Sequence, residues 1–160
     1  MIEVRGPNVF SGYWRAPERT RESMRSDGYF ITGDLGVCDA QGYVSIVGRA
    51  RDLIISGGYN VYPREVELEI DALPGVSESA VIGLAHPDFG EAVTAVIVRV
   101  PAAARAQAPL TEAEILAALR QQLAGYKLPK RVLFVDELPR NVMGKVQKAQ
   151  LRERYAQLYR

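Results

Sequence analysis

The segment "LPRNVMGKVQK", residues 138–148, contains a Gly-Lys pair that could do chemistry. A lysine on a glycine-flanked loop can carry its positive charge to a phosphate or a carboxylate. The segment lacks the pair of spaced glycines with which a Walker loop wraps phosphates. Lys145 is therefore a candidate catalytic side chain whose target has to be supplied elsewhere.

A second candidate is Asp34 in "YFITGDLG", where it follows Gly33 at the end of a strand-like run. A carboxylate accepts two hydrogen bonds and could hold a vicinal diol such as that of ribose. The alternative is an aspartate that only stabilises a turn.

A third candidate is "GRARDLIISGGYN", residues 48–60, which combines Arg49, Arg51 and Asp52 with the pair Gly57-Gly58. Two glycines would let a ligand pass close to bare backbone. The alternative is a hairpin that carries surface charges.

The remaining reactive side chains favour no site. His86 in "HPDFGE" has no second ligand or nucleophile beside it, which favours a polar turn between two buried strands. Cys38 is the single cysteine, so it can form no internal disulfide, and it has no zinc-ligating companions. We predict no metal site, and a reducing, cytoplasmic environment.

Composition excludes several classes of protein. The chain has 160 residues, 48% of them hydrophobic, which suffices for one ordinary core or a small domain with part of another. The 20 basic residues nearly balance the 19 acidic ones, so no general basic field predicts nucleic-acid binding. No apolar stretch approaches the roughly 20 residues that span a bilayer, and we expect no membrane association.

Two regions must position the candidate residues. Up to residue 49, turn signals at Asp27-Gly28 and residues 39–42 precede the β-rich runs Tyr29 to Thr32 and Tyr43 to Val47. These runs predict a short antiparallel piece that is too small to close on itself. We interpret residues 1–49 as the remnant of a larger domain.

Residues 50–160 predict a compact α+β domain, a central sheet flanked by helices. Pro63 opens one predicted helix, with Val66, Ile70 and Leu73 at helical spacing. A capping box of Thr111 and Glu114 opens another, expected to run to Gly125. The other predicted elements are strands in "LIIS", "SESAVIGLA", "EAVTAVIVRV" and "RVLFVDEL", a surface loop at 101–109 and a helix at 148–159.

In this order, "GYWRAPERT", "DGYFITGDLG", "GYVSIVGRARDLIISGGYNVYPREVE" and "LPRNVMGKVQK" resemble the later motifs of the adenylate-forming (AMP-binding) enzymes, specifically the acyl-CoA synthetases. A finer resemblance, to malonyl-CoA synthetases, lies in three segments: "RDLIISGGYNVYPREVE", "HPDFGEAVTAV" and "LPRNVMGKVQK". The resemblance implies a two-step ligase: a carboxylic acid reacts with ATP to give an acyl-AMP, and CoA then displaces AMP. It also implies magnesium with ATP.

The resemblance further implies roles for individual residues. Asp34 and Arg49 would bind the ribose of ATP. Arg51 stands where the family has a lysine or aspartate hinge, and with Asp52 it would let the C-terminal domain swing between the two half-reactions.

Two further roles follow from the same resemblance. Gly57 and Gly58 would line the tunnel for the pantetheine arm of CoA. Lys145 would enter the active site during adenylation and offset the charge that develops as the carboxylate attacks phosphorus.

The family's phosphate loop, adenine motif and acyl pocket are not in this sequence. We therefore expect residues 1–49 to be the tail of the N-terminal AMP-binding domain and residues 50–160 to be the mobile C-terminal domain. The isolated chain should be inactive without the missing N-terminal domain, and its front strands could self-associate through unpaired edges.

Two other functions remain open. One is an adenylation domain that serves a carrier protein instead of CoA. The other is a non-catalytic protein-interaction module that uses the Ala-rich loop and the front strands. Nucleic-acid binding is disfavoured because the basic C-terminal stretch lacks interleaved aromatic residues.

Overall fold

The computed structural model describes residues 1–101 and 110–160. The chain divides into two compact units, Met1–Arg51 and Asp52–Arg160, which are described in turn. The domain assignment of residues 1–49 and 50–160 stays a prediction. The loop predicted at 101–109 lies, apart from Pro101, outside the described residues.

The first unit consists of two small antiparallel sheets and one helix. The elements are β1 (Glu3–Val4), α1 (Pro17–Ser23), β2 (Phe30–Ile31), β3 (Asp34–Cys38) and β4 (Val44–Arg49). Strand β1 pairs with β2, and β3 pairs with β4 through a hairpin in which Asp39 and Gly42 form the predicted turn. The helix α1 was not predicted; it begins at Pro17, whose fixed φ suits the first helical position.

One face of the β3–β4 hairpin is apolar and exposed. Val44 and Ile46 of β4, which point to the same face because side chains alternate along a strand, are 59% and 66% exposed. Such a surface is typical of a strand pair that has further structure to pack against.

The second unit is built on a five-stranded sheet. Its elements are β5 (Ile54–Ser56), β6 (Tyr59–Val61), α2 (Pro63–Asp71), β7 (Val76–His86), β8 (Gly90–Arg99), α3 (Glu112–Leu119), β9 (Arg131–Val135) and α4 (Lys148–Arg154). The strands follow the order β6-β5-β8-β7, and β9 lies parallel to β8.

Both faces of this sheet are covered by helices. Val81 and Ile97 point into a core with α2 and α3, whereas their neighbours Ile82 and Val96 point into a second core with Leu151 of α4. Because side chains alternate along a strand, two buried faces require nearly continuous apolar strands, as β7 and β8 have. The predicted α+β class with a sheet flanked by helices is confirmed.

Several predicted boundaries differ. Helix α3 ends at Leu119 and not near Gly125, because Gln121 and Gln122 donate to carbonyls three residues back and tighten the chain into turns. Leu123 still packs against the core. Helix α4 ends at Arg154, five residues before the predicted end at Tyr159. Strand β6 was not among the predicted strands, but with β5 it forms the hairpin that was the alternative interpretation of residues 48–60.

No helix among residues 1–101 and 110–160 is long and apolar enough to cross a membrane.

Candidate functional site

Asp34 and Arg49 form an ion pair in the first unit. They lie opposite each other on β3 and β4, and Arg49 Nε is 2.8 Å from Asp34 Oδ1. Arg49 also donates through Nη1 to the Thr32 carbonyl at 2.9 Å, and the Thr32 hydroxyl accepts from the Asp34 N–H at 3.0 Å. The carboxylate is thus held in one orientation with acceptor capacity to spare, as a diol-binding group requires.

The pair Gly57-Gly58 forms the two-residue turn between β5 and β6. Both residues have positive φ, +57° and +82°, which is the signature of a type I′ hairpin turn and favours glycine. The Gly57 N–H donates to the Phe89 carbonyl at 2.9 Å. A Cβ on Gly58 would meet no atom within 4 Å, so the backbone there is open to a ligand.

An aromatic pair adjoins this turn. The rings of Tyr59 and Tyr126 stack with centroids 4.7 Å apart, next to the ion pair of Lys127 with Glu65. The hydrogen bond to Glu65 raises the pKa of Lys127, which therefore stays charged. The turn thus offers bare backbone beside an aromatic surface.

The predicted hinge residues are at the boundary between the two compact units. A short 3₁₀ turn covers Ala50–Asp52, and the units divide between Arg51 and Asp52. Arg51 is exposed, whereas Asp52 accepts a hydrogen bond from Arg152 Nη2 of α4 at 3.0 Å. Asp52 is therefore fixed within the second unit.

Lys145 lies on a closed loop, residues 139–147, which we call the lysine loop. The Gln147 N–H donates to the Pro139 carbonyl at 2.7 Å, which closes the loop at its base. Inside it, Asn141 Oδ1 accepts from the N–H groups of Met143 and Lys145, at 3.0 and 2.9 Å. Gly144 adopts φ +77°, a backbone conformation that favours glycine. Lys145 itself is exposed.

Two charged contacts hold the lysine loop against the second unit. Arg140 pairs with Glu78 of β7 and donates through Nη1 to the Gly144 carbonyl at 2.7 Å. Lys148, which follows the loop, pairs with Glu67 of α2. The loop therefore has a defined shape around an exposed lysine.

The glycine turn and the lysine loop belong to opposite edges of the sheet. The turn joins β5 and β6, whereas the loop is held through Glu78 to β7, on the other side of β8. The structure thus brings Asp34 and Arg49 together in one unit, and places Lys145 and Gly58 in the other at separate sites.

Four residues that hold the candidates in place were not predicted from the sequence: Arg140, Asn141, Lys148 and Arg152. Asn141 carried a usable signal, since asparagine often accepts from backbone two residues on. The partners of the three basic residues are distant in sequence and left no local pattern. His86 ends β7, as the predicted turn implied, and its ring lies 5.0 Å from that of Tyr159.

Within the part of the chain that the structure describes, no group of three or more His, Cys, Asp or Glu side chains could hold a metal ion. Magnesium therefore finds no set of ligands in these residues.

Comparison with known proteins matches residues 65–145 to the family described as the AMP-binding enzyme C-terminal domain. A feruloyl-CoA synthase of an Amycolatopsis species is 47% identical over 96% of this chain. A long-chain-fatty-acid–CoA ligase of Mycobacterium tuberculosis is 43% identical over 97%. The chain spans 30% and 29% of the length of these two relatives.

Among solved structures, ATP-bound MatB of Rhodopseudomonas palustris is similar with a TM-score of 0.88 and 60% identity. The alignment covers 99% of this chain and 30% of the MatB chain.

Proposed function

The chain belongs to the AMP-binding enzymes, whose C-terminal domain it carries, and on that premise we propose that it is the C-terminal part of an ATP-dependent acid–CoA ligase. The observation that carries the proposal is the exposed Lys145 on a hydrogen-bonded loop, at the sheet edge opposite the Gly57-Gly58 turn. Two sites on one domain suit an enzyme that presents each in turn.

In the first half-reaction, a carboxylic acid attacks the α-phosphate of ATP and releases pyrophosphate. Negative charge builds up around phosphorus as the bond forms, and the Lys145 ammonium would stabilise it electrostatically. Asp34 would accept hydrogen bonds from the ribose hydroxyls of ATP, with Arg49 orienting its carboxylate.

In the second half-reaction, the CoA thiol attacks the acyl carbonyl and AMP leaves. The open backbone at Gly58 would form one wall of the path for the pantetheine arm. Arg51, exposed at the boundary of the compact units, would act with Asp52 as the hinge between the two steps. The acid, ATP, CoA and an N-terminal domain are thus the proposed partners, with magnesium accompanying ATP by family resemblance.

For the acid we propose malonate. The resemblance of "RDLIISGGYNVYPREVE" and neighbouring segments to malonyl-CoA synthetases supports it, and so does the higher identity to MatB than to the relatives named for ferulate and fatty acids. Pyrophosphate exchange by the full-length protein with malonate, ferulate and a long-chain fatty acid tests the choice. Exchange with either of the other acids in preference to malonate would contradict it.

The role of Lys145 is testable in a ligase chimera, in which this chain replaces the matching 30% of MatB. We expect ATP–pyrophosphate exchange by the chimera, little by Lys145→Ala, and none by the isolated chain. Thioester formation from supplied acyl-AMP should survive Lys145→Ala. Exchange by the isolated chain, or full exchange by Lys145→Ala, would contradict the proposal.

A further inference from the structure

Lys148 is the first residue of α4 and directly follows the lysine loop. Its Nζ is 2.6 Å from Glu67 Oε1, and the two side chains are only 19% and 9% exposed. An ion pair with so little exposure holds its partners in a narrow range of positions, because separating them would leave two poorly solvated charges.

The pair crosses the edge of the sheet. Glu67 is on α2, which packs on one face of the sheet, and α4 packs on the other. The same oxygen, Glu67 Oε1, accepts from the N–H of Val81 on the edge strand β7 at 2.9 Å. One carboxylate therefore satisfies an edge amide and ties the two helix layers together.

This tie is close to the reactive lysine. Lys145 precedes Lys148 by three residues, and between them the Gln147 N–H closes the lysine loop onto the Pro139 carbonyl. Arg140 holds the first half of the loop to Glu78 of β7. The Glu67–Lys148 pair holds the second half, so both halves are anchored along the β7 side of the sheet.

We propose that Lys148 is a positioning residue for Lys145: its ion pair with Glu67 fixes the end of the lysine loop and thereby the place that the Lys145 ammonium occupies during adenylation. The inference rests on the proposed function of Lys145. Lys148 itself need not touch a substrate, and its loss should affect only the half-reaction that uses Lys145.

Three variants and one control test the proposal in the ligase chimera. Lys148→Met removes the charge and keeps much of the length, and Lys148→Arg keeps the charge. The double variant Glu67→Gln with Lys148→Met leaves no buried lone charge, which guards against a simple failure to fold. Arg154→Met is the control, because it also removes a cation from α4. The guanidinium group of Arg154 lies over the ring of Tyr155.

Small displacements of a catalytic group can cost about 100-fold in rate, so we expect Lys148→Met and the double variant to lower pyrophosphate exchange about 10- to 100-fold. Thioester formation from supplied acyl-AMP should change little, and Lys148→Arg should recover part of the exchange. Arg154→Met should resemble the wild type in both reactions. If Lys148 had only a structural role, its replacement would lower the rates of both half-reactions in equal proportion. That result, or an unchanged rate of pyrophosphate exchange, would overturn the proposal.

A measurement on the 160-residue chain separates this inference from the proposed function. The measurement is hydrogen–deuterium exchange of backbone amides. In Lys148→Met and in the double variant, the amide of Lys145 should exchange faster than in the wild type, whereas the amide of Val93 in the core of the sheet should exchange at the wild-type rate. If the wild-type chimera failed to adenylate, the proposed function would fall, and the amide exchange rates would still decide whether Lys148 positions the lysine loop. An unchanged amide exchange rate at Lys145 would overturn the inference.

Discussion

The side-chain oxygen of Asn141 accepts a hydrogen bond from the N–H of Lys145 across 2.9 Å, and the Asn141 N–H donates to the Lys145 carbonyl at the same distance. Both peptide groups of Lys145 are thereby fixed to one residue, although Lys145 as a whole is exposed. In the proposed adenylation step, a lysine whose backbone is already in position would need less reorganisation when the carboxylate attacks phosphorus.

We therefore expect Asn141→Ala in the ligase chimera to lower pyrophosphate exchange about 10-fold or more, since it frees the backbone at Lys145. Asn141→Asp keeps an acceptor oxygen and should retain most of the activity. Thioester formation from supplied acyl-AMP serves as the internal control. Equal losses for the two variants would mean that the hydrogen bond does not set the position of Lys145.

Local patterns in the sequence were sufficient to predict much of the scaffold. Pro63 opens α2, and Thr111 with Glu114 forms the capping box of α3, because these signals depend only on neighbouring residues. The turn at Gly57-Gly58 was likewise predicted. The end of α3 at Leu119 was not, because turns that follow a helix leave no strong local signal.

The contacts that hold the candidate residues could not be predicted in the same way. Glu67 and Lys148 each look like surface charges on an amphipathic helix, and only the packing of both helices around the edge of β7 brings them together. Arg152 and Asp52 are also distant in sequence. A single sequence contains no pattern that pairs such residues.

The Asp34–Arg49 pair makes the proposed ribose site testable. Hydrogen bonds to a charged group contribute about 1.5–3 kcal/mol, so Asp34→Ala in the ligase chimera should raise the KM for ATP about 10-fold or more. Steady-state adenylation rates at varied ATP concentration measure the change. The kcat at saturating ATP should fall less.

Asp39→Ala is a matched control for a purely structural aspartate. Asp39 Oδ1 accepts from the N–H groups of Gln41 and Tyr43 and so stabilises the turn between β3 and β4. Its replacement should lower the melting temperature and leave the KM for ATP unchanged. An identical pattern for Asp34→Ala would show that Asp34, too, is only a turn residue.

Tyr159 links stability to pH in the second unit. Its hydroxyl is 2.9 Å from Oγ1 of the buried Thr94, and burial raises the pKa of Tyr159 above its ordinary value of 10.0. The folded state therefore favours the neutral phenol. This contribution is fully present below the unfolded pKa and is lost as the pH rises through the higher folded pKa.

We expect Tyr159→Phe to lower the free energy of unfolding by about 1 kcal/mol at neutral pH, since one hydrogen bond is lost. Urea unfolding should show this difference shrinking above pH 10.0. Tyr43→Phe, at an exposed position of the first unit, is the control and should have little effect at either pH. A difference that grows with pH would contradict the assignment.

Gly58 and Gly42 provide a matched pair for the proposed CoA path. They have φ of +82° and +88°, and at either position an added Cβ would meet no atom within 4 Å. A side chain at positive φ costs about 1–2 kcal/mol, so alanine should lower the stability of both variants similarly.

Only at Gly58 would the new methyl group also stand in the path of the pantetheine arm. We therefore expect Gly58→Ala, and not Gly42→Ala, to slow thioester formation from supplied acyl-AMP in the ligase chimera while pyrophosphate exchange continues. Because both variants carry similar backbone strain, a loss of thioester formation confined to Gly58→Ala would support contact with CoA, and equal rates in the two would remove Gly58 from the CoA path.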